Sequence, residues 1–251
     1  FCGLYGIRPT HGRLDTTGML PQAPSSDTTG WFARDGETFA RVSTVLLGEA
    51  PGALPTRLLI ATDAFAFADP EVAEALQPMV TRLSRIVGEV REDIMAPQGL
   101  SVWARAQRTL QPVEAWNTFR QWVETANPRM AFSVVAGLLN GARMPEGERQ
   151  WAEMMRLEAR ARLRHLLPPG TILCLPTTAF PAPLRGLSQP VLQPLKDRIS
   201  CLCAQGGLTG SPQVSLPGAT VNGAPVGLSI IGGRGTDATL IAVARAMGEA
   251  A

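Results

Sequence analysis

Residues 207–244 read GLTGSPQVSLPGATVNGAPVGLSIIGGRGTDATLIAVA. QVSLP (213–217) and VGLSIIG (226–232) are short apolar strands, and the Asn222-Gly223 pair between them is a hairpin turn signal. The GGRGTDA stretch (232–238) lacks both the GxGxxG spacing and the lysine of a phosphate loop, so it reads as a strand–turn–helix junction. Thr236 or Asp237 caps a last helix over 238–249. Two strands followed by a helix that must cover them set the expectation of a layered α/β fold.

The chain upstream repeats that alternation. TILCLP (171–176) is a buried-type strand that runs into a proline-rich loop, TTAFPAP, and a helix over 194–209 follows. RLLIAT (57–62) is another apolar strand, and 89–94 fits a further one. Asp35 opens a helix that Gly48 and Pro51 close, and the Asp69-Pro70 pair opens a second with a kink expected at Pro78. Helical spacing recurs over 100–125, with a break expected at Pro112, and over 146–167. Trp103, Trp116 and Trp122 fall at helical spacing and read as packing residues. Residues 1–30, dense in Gly, Pro, Thr and Ser, read as turns and irregular backbone. Residues 1–251 are taken as one domain, with helices covering a sheet.

Composition narrows the function classes. A net charge of +2 with dispersed arginines gives no footprint for nucleic acid. No apolar run reaches membrane-spanning length. Lys196 is the sole lysine, which with abundant Ala, Gly and Pro points to a GC-rich, bacterial coding sequence. The four cysteines form no CxxC pair and there are only two histidines, so zinc-ligand spacing is missing and no metal or other cofactor is expected. Buried free thiols in a reducing cytosol are the expected state, and the cytoplasm the expected location.

Chemistry is harder to place from the residues alone. No GxSxG elbow presents a serine, His11 sits in a Gly- and Arg-rich turn, and His165 is explained by its place in the last turn of a helix. Asp27, Asp63 and Asp69 suit turns and helix caps.

Three blocks nevertheless resemble the amidase signature family, in order. FCGLYGIRPTHGR (1–13), with APSSDTTGWFARD (23–35), resembles the family's FCG-x-x-G-x-[RK]-P-T-x-G-R segment and its downstream A-x-S-x-D-x-x-G-x-x-A-R. ILCLPTTAFPAP (172–183) is similar to its strand and proline loop, and 207–244 to its C-terminal strand–turn–strand–helix. The closest subgroup resemblance is to indole-3-acetamide amidohydrolases and related small bacterial amidases. It implies a mixed central β-sheet covered by helices on both faces, with the N-terminal part of that fold outside this chain. It also implies hydrolysis of small carboxamides to acid and ammonia by a Lys–Ser–Ser triad, with Phe1 a few residues beyond the nucleophilic serine. On that reading no residue here is catalytic, and Lys196, in a helix without a serine-rich partner loop, cannot substitute.

The resemblance further implies that Phe1 and Tyr5 lie close to the site, and that Thr177, Thr178, Phe180 and Gln205 wall the acyl side. The apolar loop, without an obvious cationic anchor, suits an aryl or alkyl amide better than a charged one, with Arg185 as the alternative anchor. The expected partner is a small-molecule amide, with neither nucleic acid nor membrane; a homodimer is one assembly open to it. Two other readings compete: a non-catalytic amidase-like module for protein binding, and a subunit of a glutamine-dependent amidotransferase.

Overall fold

The computed structural model describes residues 1–249. Strands β1 (Tyr5–Arg8) and β2 (Trp31–Ala33) open the fold, followed by helix α1 (Gly36–Leu47) and strand β3 (Arg57–Ala61). Next come α2 (Thr62–Phe67), α3 (Pro70–Val87) and β4 (Glu89–Asp93). Three helices follow: α4 (Leu100–Ala126), α5 (Phe132–Ala142) and α6 (Glu146–Leu166). The rest is β5 (Thr171–Pro176), α7 (Gln189–Thr209), β6 (Gln213–Val221), β7 (Ala224–Gly232) and α8 (Asp237–Glu249).

The strands form one sheet in the order β2-β1-β6-β7-β5-β3-β4. β3 pairs parallel with both β4 and β5, and the remaining pairings are antiparallel, so the sheet is mixed. Every residue of β5 is buried, as a strand covered on both faces requires. Its side chains alternate: Ile172 and Cys174 enter one core with Leu58, Val214 and Leu228, while Leu173 and Leu175 enter the other with Leu59 and Ile231. α1, α3 and α8 cover the first face through Phe39, Leu76 and Leu240. α2, α4, α6 and α7 cover the second through Ala64, Trp103, Leu163 and Leu202.

Several expectations need correction. The 1–30 stretch is not wholly irregular, because β1 inserts between β2 and β6. Its Gly6 lies under the exposed Phe32 ring of β2, and a Cβ there would meet that ring. α4 runs unbroken through Pro112, and α7 starts at Gln189 with Pro194 inside it, whereas α3 carries Pro78 in its interior as expected. Asp35 caps α1 by accepting from the Thr38 amide at 2.7 Å, as read from sequence. Asp69 is the N-cap residue of α3 with Pro70 behind it, as read from sequence, but its side chain makes no capping bond and accepts from Arg198 at 2.7 Å instead. Cys174 and Cys201 are buried thiols, whereas Cys2 and Cys203 are exposed. The hairpin turn is as expected, with Asn222 at φ 50° and Gly223 at φ 78°, both in the left-handed region that a tight primed turn demands. β6 extends four residues past the expected strand, through a bulge at Pro217–Ala219.

Hydrogen bonds tie the loop after β1 to the start of α8. The buried Asp237 carboxylate accepts from the Thr10 amide at 2.8 Å and from the Thr10 hydroxyl at 2.6 Å. Thr10 Oγ1 in turn accepts from the Gly235 amide at 2.9 Å.

Candidate active site

β5 ends at Pro176, and the loop that leaves it carries Thr177, Thr178 and Phe180 to one end of the sheet. The Thr177 amide donates to the Gly227 carbonyl at 2.8 Å, which fixes the loop on β7. Thr177 Oγ1 lies 3.0 Å from Ser215 Oγ of β6 and 3.0 Å from Ser229 Oγ of β7, and Gln213 Nε2 donates to Ser229 Oγ at 3.1 Å. Gly227 makes this convergence feasible: a Cβ there would sit 3.1 Å from Ser215 Oγ and 3.2 Å from Thr177 Oγ1. Thr178 is buried and its hydroxyl donates to the Phe180 carbonyl at 3.0 Å.

An aromatic and cationic wall stands beside these hydroxyls. The Phe1 and Phe180 ring centroids are 6.3 Å apart. The Arg198 guanidinium of α7 lies 5.1 Å from the Phe180 centroid and 5.7 Å from that of Phe67. Arg198 is held by Asp69, whose amide donates to the Ala179 carbonyl at 2.8 Å, so the ion pair also braces the loop. Arg185, the cation anticipated from sequence, is exposed and makes no ion pair among the described residues.

Cys203 connects the wall to a polar cavity. Its Sγ contacts the Thr177 carbonyl oxygen at 3.5 Å, and it lines a space of about 340 Å³ with Arg8, Asp27, Thr28, Gln107 and Gly207. Burial lowers the pKa of Arg8, which the Asp27 charge partly offsets, and Arg8 donates to the Ser26 carbonyl. Arg8 Nε and Thr28 Oγ1 are buried without a partner among the described residues. Unpaired buried donors are costly, and they are free for a ligand's acceptors.

The structure thus gathers Phe1, Thr177, Thr178 and Phe180. It does not gather Tyr5 or Gln205 with them as wall residues. The Tyr5 ring is in the core of the other face, 5.8 Å from Phe39, where burial raises its phenol pKa. Gln205 is fully buried and its Nε2 donates to the Cys201 carbonyl at 2.8 Å. Sequence reading missed Arg198, Ser215, Ser229, Gln107 and the cavity role of Arg8. Arg8, Thr28, Ser215 and Ser229 lie inside the motif blocks, where attention to polar positions would have found them; Gln107 and Arg198 sit on helices and carry no local signal.

Chemically, this end of the sheet offers apolar walls, a cation and hydrogen-bonding hydroxyls. Among the described residues no serine hydroxyl is hydrogen-bonded to a histidine or lysine side chain. His11 Nε2 instead meets the Pro24 carbonyl at 2.8 Å, and Lys196 is exposed. The described residues also contain no cluster of His, Cys, Asp and Glu suited to a metal ion.

Comparison with known proteins places the chain and its fold. Amidase 1 of Oryza sativa subsp. japonica is 26% identical over 272 residues, covering 97% of this chain and 62% of its own length. The translocon at the outer membrane of chloroplasts 64 of Pisum sativum is 26% identical over 275 residues, covering 98% of this chain and 46% of its own length. A glutamyl-tRNA(Gln) amidotransferase subunit of Thermus thermophilus is 27% identical over 292 residues, covering 100% of this chain and 61% of its own length. This chain therefore spans roughly half to two thirds of these relatives. A crystal structure of an amidase superposes with a TM-score of 0.82 at 25% identity, over 99% of this chain and 58% of that one. The family model described as Amidase matches residues 1–241, and with it the chain belongs to the amidase family.

Proposed function

We propose that this chain forms the acyl-binding side of an enzyme that hydrolyses small carboxamides, R-CO-NH2, to the acid and ammonia. In this reading a Lys–Ser–Ser triad N-terminal to Phe1 performs the chemistry. One serine attacks the amide carbon, the lysine relays the proton to the leaving ammonia, and water then releases the acid from the acyl-enzyme. The observation that carries the reading is the position of Phe1. The motif that resembles the run following a nucleophile begins against Phe180, whose ring also faces the Arg198 guanidinium and whose loop carries Thr177 to Ser215 and Ser229. A chain arriving there delivers its preceding residues beside the Phe1–Phe180 ring pair. Aromatic faces under a cation favour a substrate with an aryl or alkyl acyl group.

The test is ammonia release from phenylacetamide and acetamide by the protein carrying its residues upstream of Phe1. Phe180→Ala is expected to raise the KM for phenylacetamide about tenfold, the worth of one lost ring contact of about 1.4 kcal/mol, and to leave acetamide nearly unchanged. Equal effects on both amides would remove Phe180 from the acyl wall. The 251-residue chain alone is expected to release no ammonia, and turnover by it would overturn the upstream triad.

A second reading has one observation in its favour: the chloroplast translocon relative aligns along nearly the whole chain. A non-catalytic amidase-like module would use the same fold to hold a protein. Absence of turnover in the longer protein, with lysine and both serines missing from its upstream segment, would favour that reading.

A further inference from the structure

A second cavity, of about 720 Å³, shares no lining residue with the 340 Å³ cavity or with the Thr177–Phe180 loop. Its wall includes Leu167 and Pro169, which precede β5, whereas Thr177 follows that strand. Six residues of strand, about 20 Å, separate that wall from Thr177, while Ser25 on the rim adjoins Ser26 of the 340 Å³ cavity.

Four arginines line this cavity. Arg156, Arg160 and Arg164 recur at i,i+4 along one stripe of α6, and Arg234 reaches in from the β7–α8 loop opposite. His11 and Ser25 complete the polar rim, and Leu163, Leu167 and Pro169 make an apolar floor. Little anionic charge answers the guanidiniums. Arg156 donates to Ser25 Oγ at 3.0 Å and lies 3.7 Å from Glu114, whose carboxylate also accepts from the Ser25 amide and hydroxyl. Arg234 is spent on the carbonyls of Gly210 and His11, at 3.1 Å each. Asp237 is turned to Thr10. Among the described residues Arg160 and Arg164 form no ion pair with any carboxylate, and Arg160 Nε is buried with no hydrogen-bond partner. Burial and the facing charges of Arg156 and Arg234 lower the Arg160 pKa, the mark of a cation held in unfavourable company. The C-terminal dipole of α6 accounts for Arg164 near the last turn, but not for Arg160 a full turn earlier.

We propose that this cavity is a binding site for an organic phosphate monoester. Like charges brought together around a concave space are stabilised by an anion, and a dianion answers several guanidiniums better than a single carboxylate does. The planar forks of Arg160 and Arg164 suit phosphate oxygens, and the Leu163–Leu167–Pro169 floor suits a carbon body. The volume matches a small organic ligand and exceeds the needs of inorganic phosphate. The site is independent of the amide-hydrolysis reading.

The experiment is calorimetric titration of the purified protein with phenyl phosphate, inorganic phosphate and benzoate at constant ionic strength, alongside thermal unfolding with and without each. Saturable binding is expected, tightest for phenyl phosphate. Arg160→Gln and Arg164→Gln are each expected to weaken it about tenfold or more, the scale of one lost charge-assisted hydrogen bond, while Arg85→Gln on α3 leaves it unchanged. Removing an unpaired cation relieves repulsion, so Arg160→Gln without ligand should unfold at the same or a higher temperature than wild type. A lower midpoint would make Arg160 a structural residue and overturn the proposal. So would absence of saturable phosphate binding, or affinity that survives both substitutions. Equal binding of inorganic and phenyl phosphate would overturn the organic body, and tighter binding of benzoate would overturn the phosphate.

Discussion

Cys174 shows what burial does to one titratable group. It sits in the middle of β5, fully enclosed among Leu58, Ile172 and Ile230, and desolvation pushes its thiol pKa up to about 12. An unfolded thiol titrates near 9.0. Between those values the unfolded chain loses a proton that the folded chain keeps, so stability is full below pH 9 and falls by about 1.4 kcal/mol per pH unit above it. Urea unfolding of wild type and Cys174→Ala from about pH 8 to about pH 11 checks this. The variant starts less stable, but its alkaline slope should be shallower, and parallel slopes would remove Cys174 as the cause. A thiol reagent at about pH 8 should label exposed Cys2 while the protein is folded, and Cys174 only on unfolding. Sequence could name these cysteines but not sort them. The apolar run TILCLP announces burial of Cys174, whereas Cys203 lies two residues from buried Cys201 on a helix whose turn decides which one faces out. Tyr5 lies in the core opposite that of Phe180 for the same reason, since a position near a site in the chain does not say on which face of the sheet a side chain lands.

Among the helices, sequence reading passed over the short α2 and the longer α5. FSVVAGLLNGA is apolar nearly all round, and its N-terminus has no side-chain cap, so neither the periodicity nor the start signal of an amphipathic helix is present. What seats it is Gly141. Its backbone comes against the Pro112 carbonyl and Trp116 Cβ of α4, and a Cβ on Gly141 would collide with that carbonyl. The proline expected to break α4 is instead a point of helix contact. Gly141→Ala is therefore expected to destabilise by about 1–3 kcal/mol through overpacking. Gly137, one turn earlier in the same helix, meets nothing within 4 Å at its Cβ position. Gly137→Ala should stabilise by about 0.5–1 kcal/mol by restricting the unfolded chain. Chemical denaturation of the pair separates steric from entropic effects, and a loss from both would mean that α5 moves off α4. Strands β3, β5, β6 and β7 and helices α1, α3, α6 and α8 were legible because each has a clean apolar period with a turn residue at its end. β1 and β2 were not, because four and three residues are too short to show alternation amid Gly and Pro.

At the scale of the molecule, the order β2-β1-β6-β7-β5-β3-β4 could not be read from any local pattern, since it joins strands separated by most of the chain. Its consequence is mechanical. Phe39 anchors the core under α1, α3 and α8, and Trp103 anchors the one under α4, α6 and α7. Both are fully buried, and Trp103 Nε1 donates to Glu158 at 3.1 Å, which ties α4 to α6. The two cores touch the same sheet from opposite sides, and β3 and β5 send alternate residues into each. Loosening either face therefore frees one side of the strands that the other face needs. Phe39→Ala and Trp103→Ala should each cost about 3–5 kcal/mol, a large share of the total for a domain of this size. Each should also lower one shared unfolding transition, seen together by tryptophan fluorescence and far-ultraviolet circular dichroism. Two separated transitions in Trp103→Ala, with the α1–α3–α8 face surviving the first, would show that the sheet does not couple the cores. In that case the candidate active site at the end of β5 would rest on the weaker face alone.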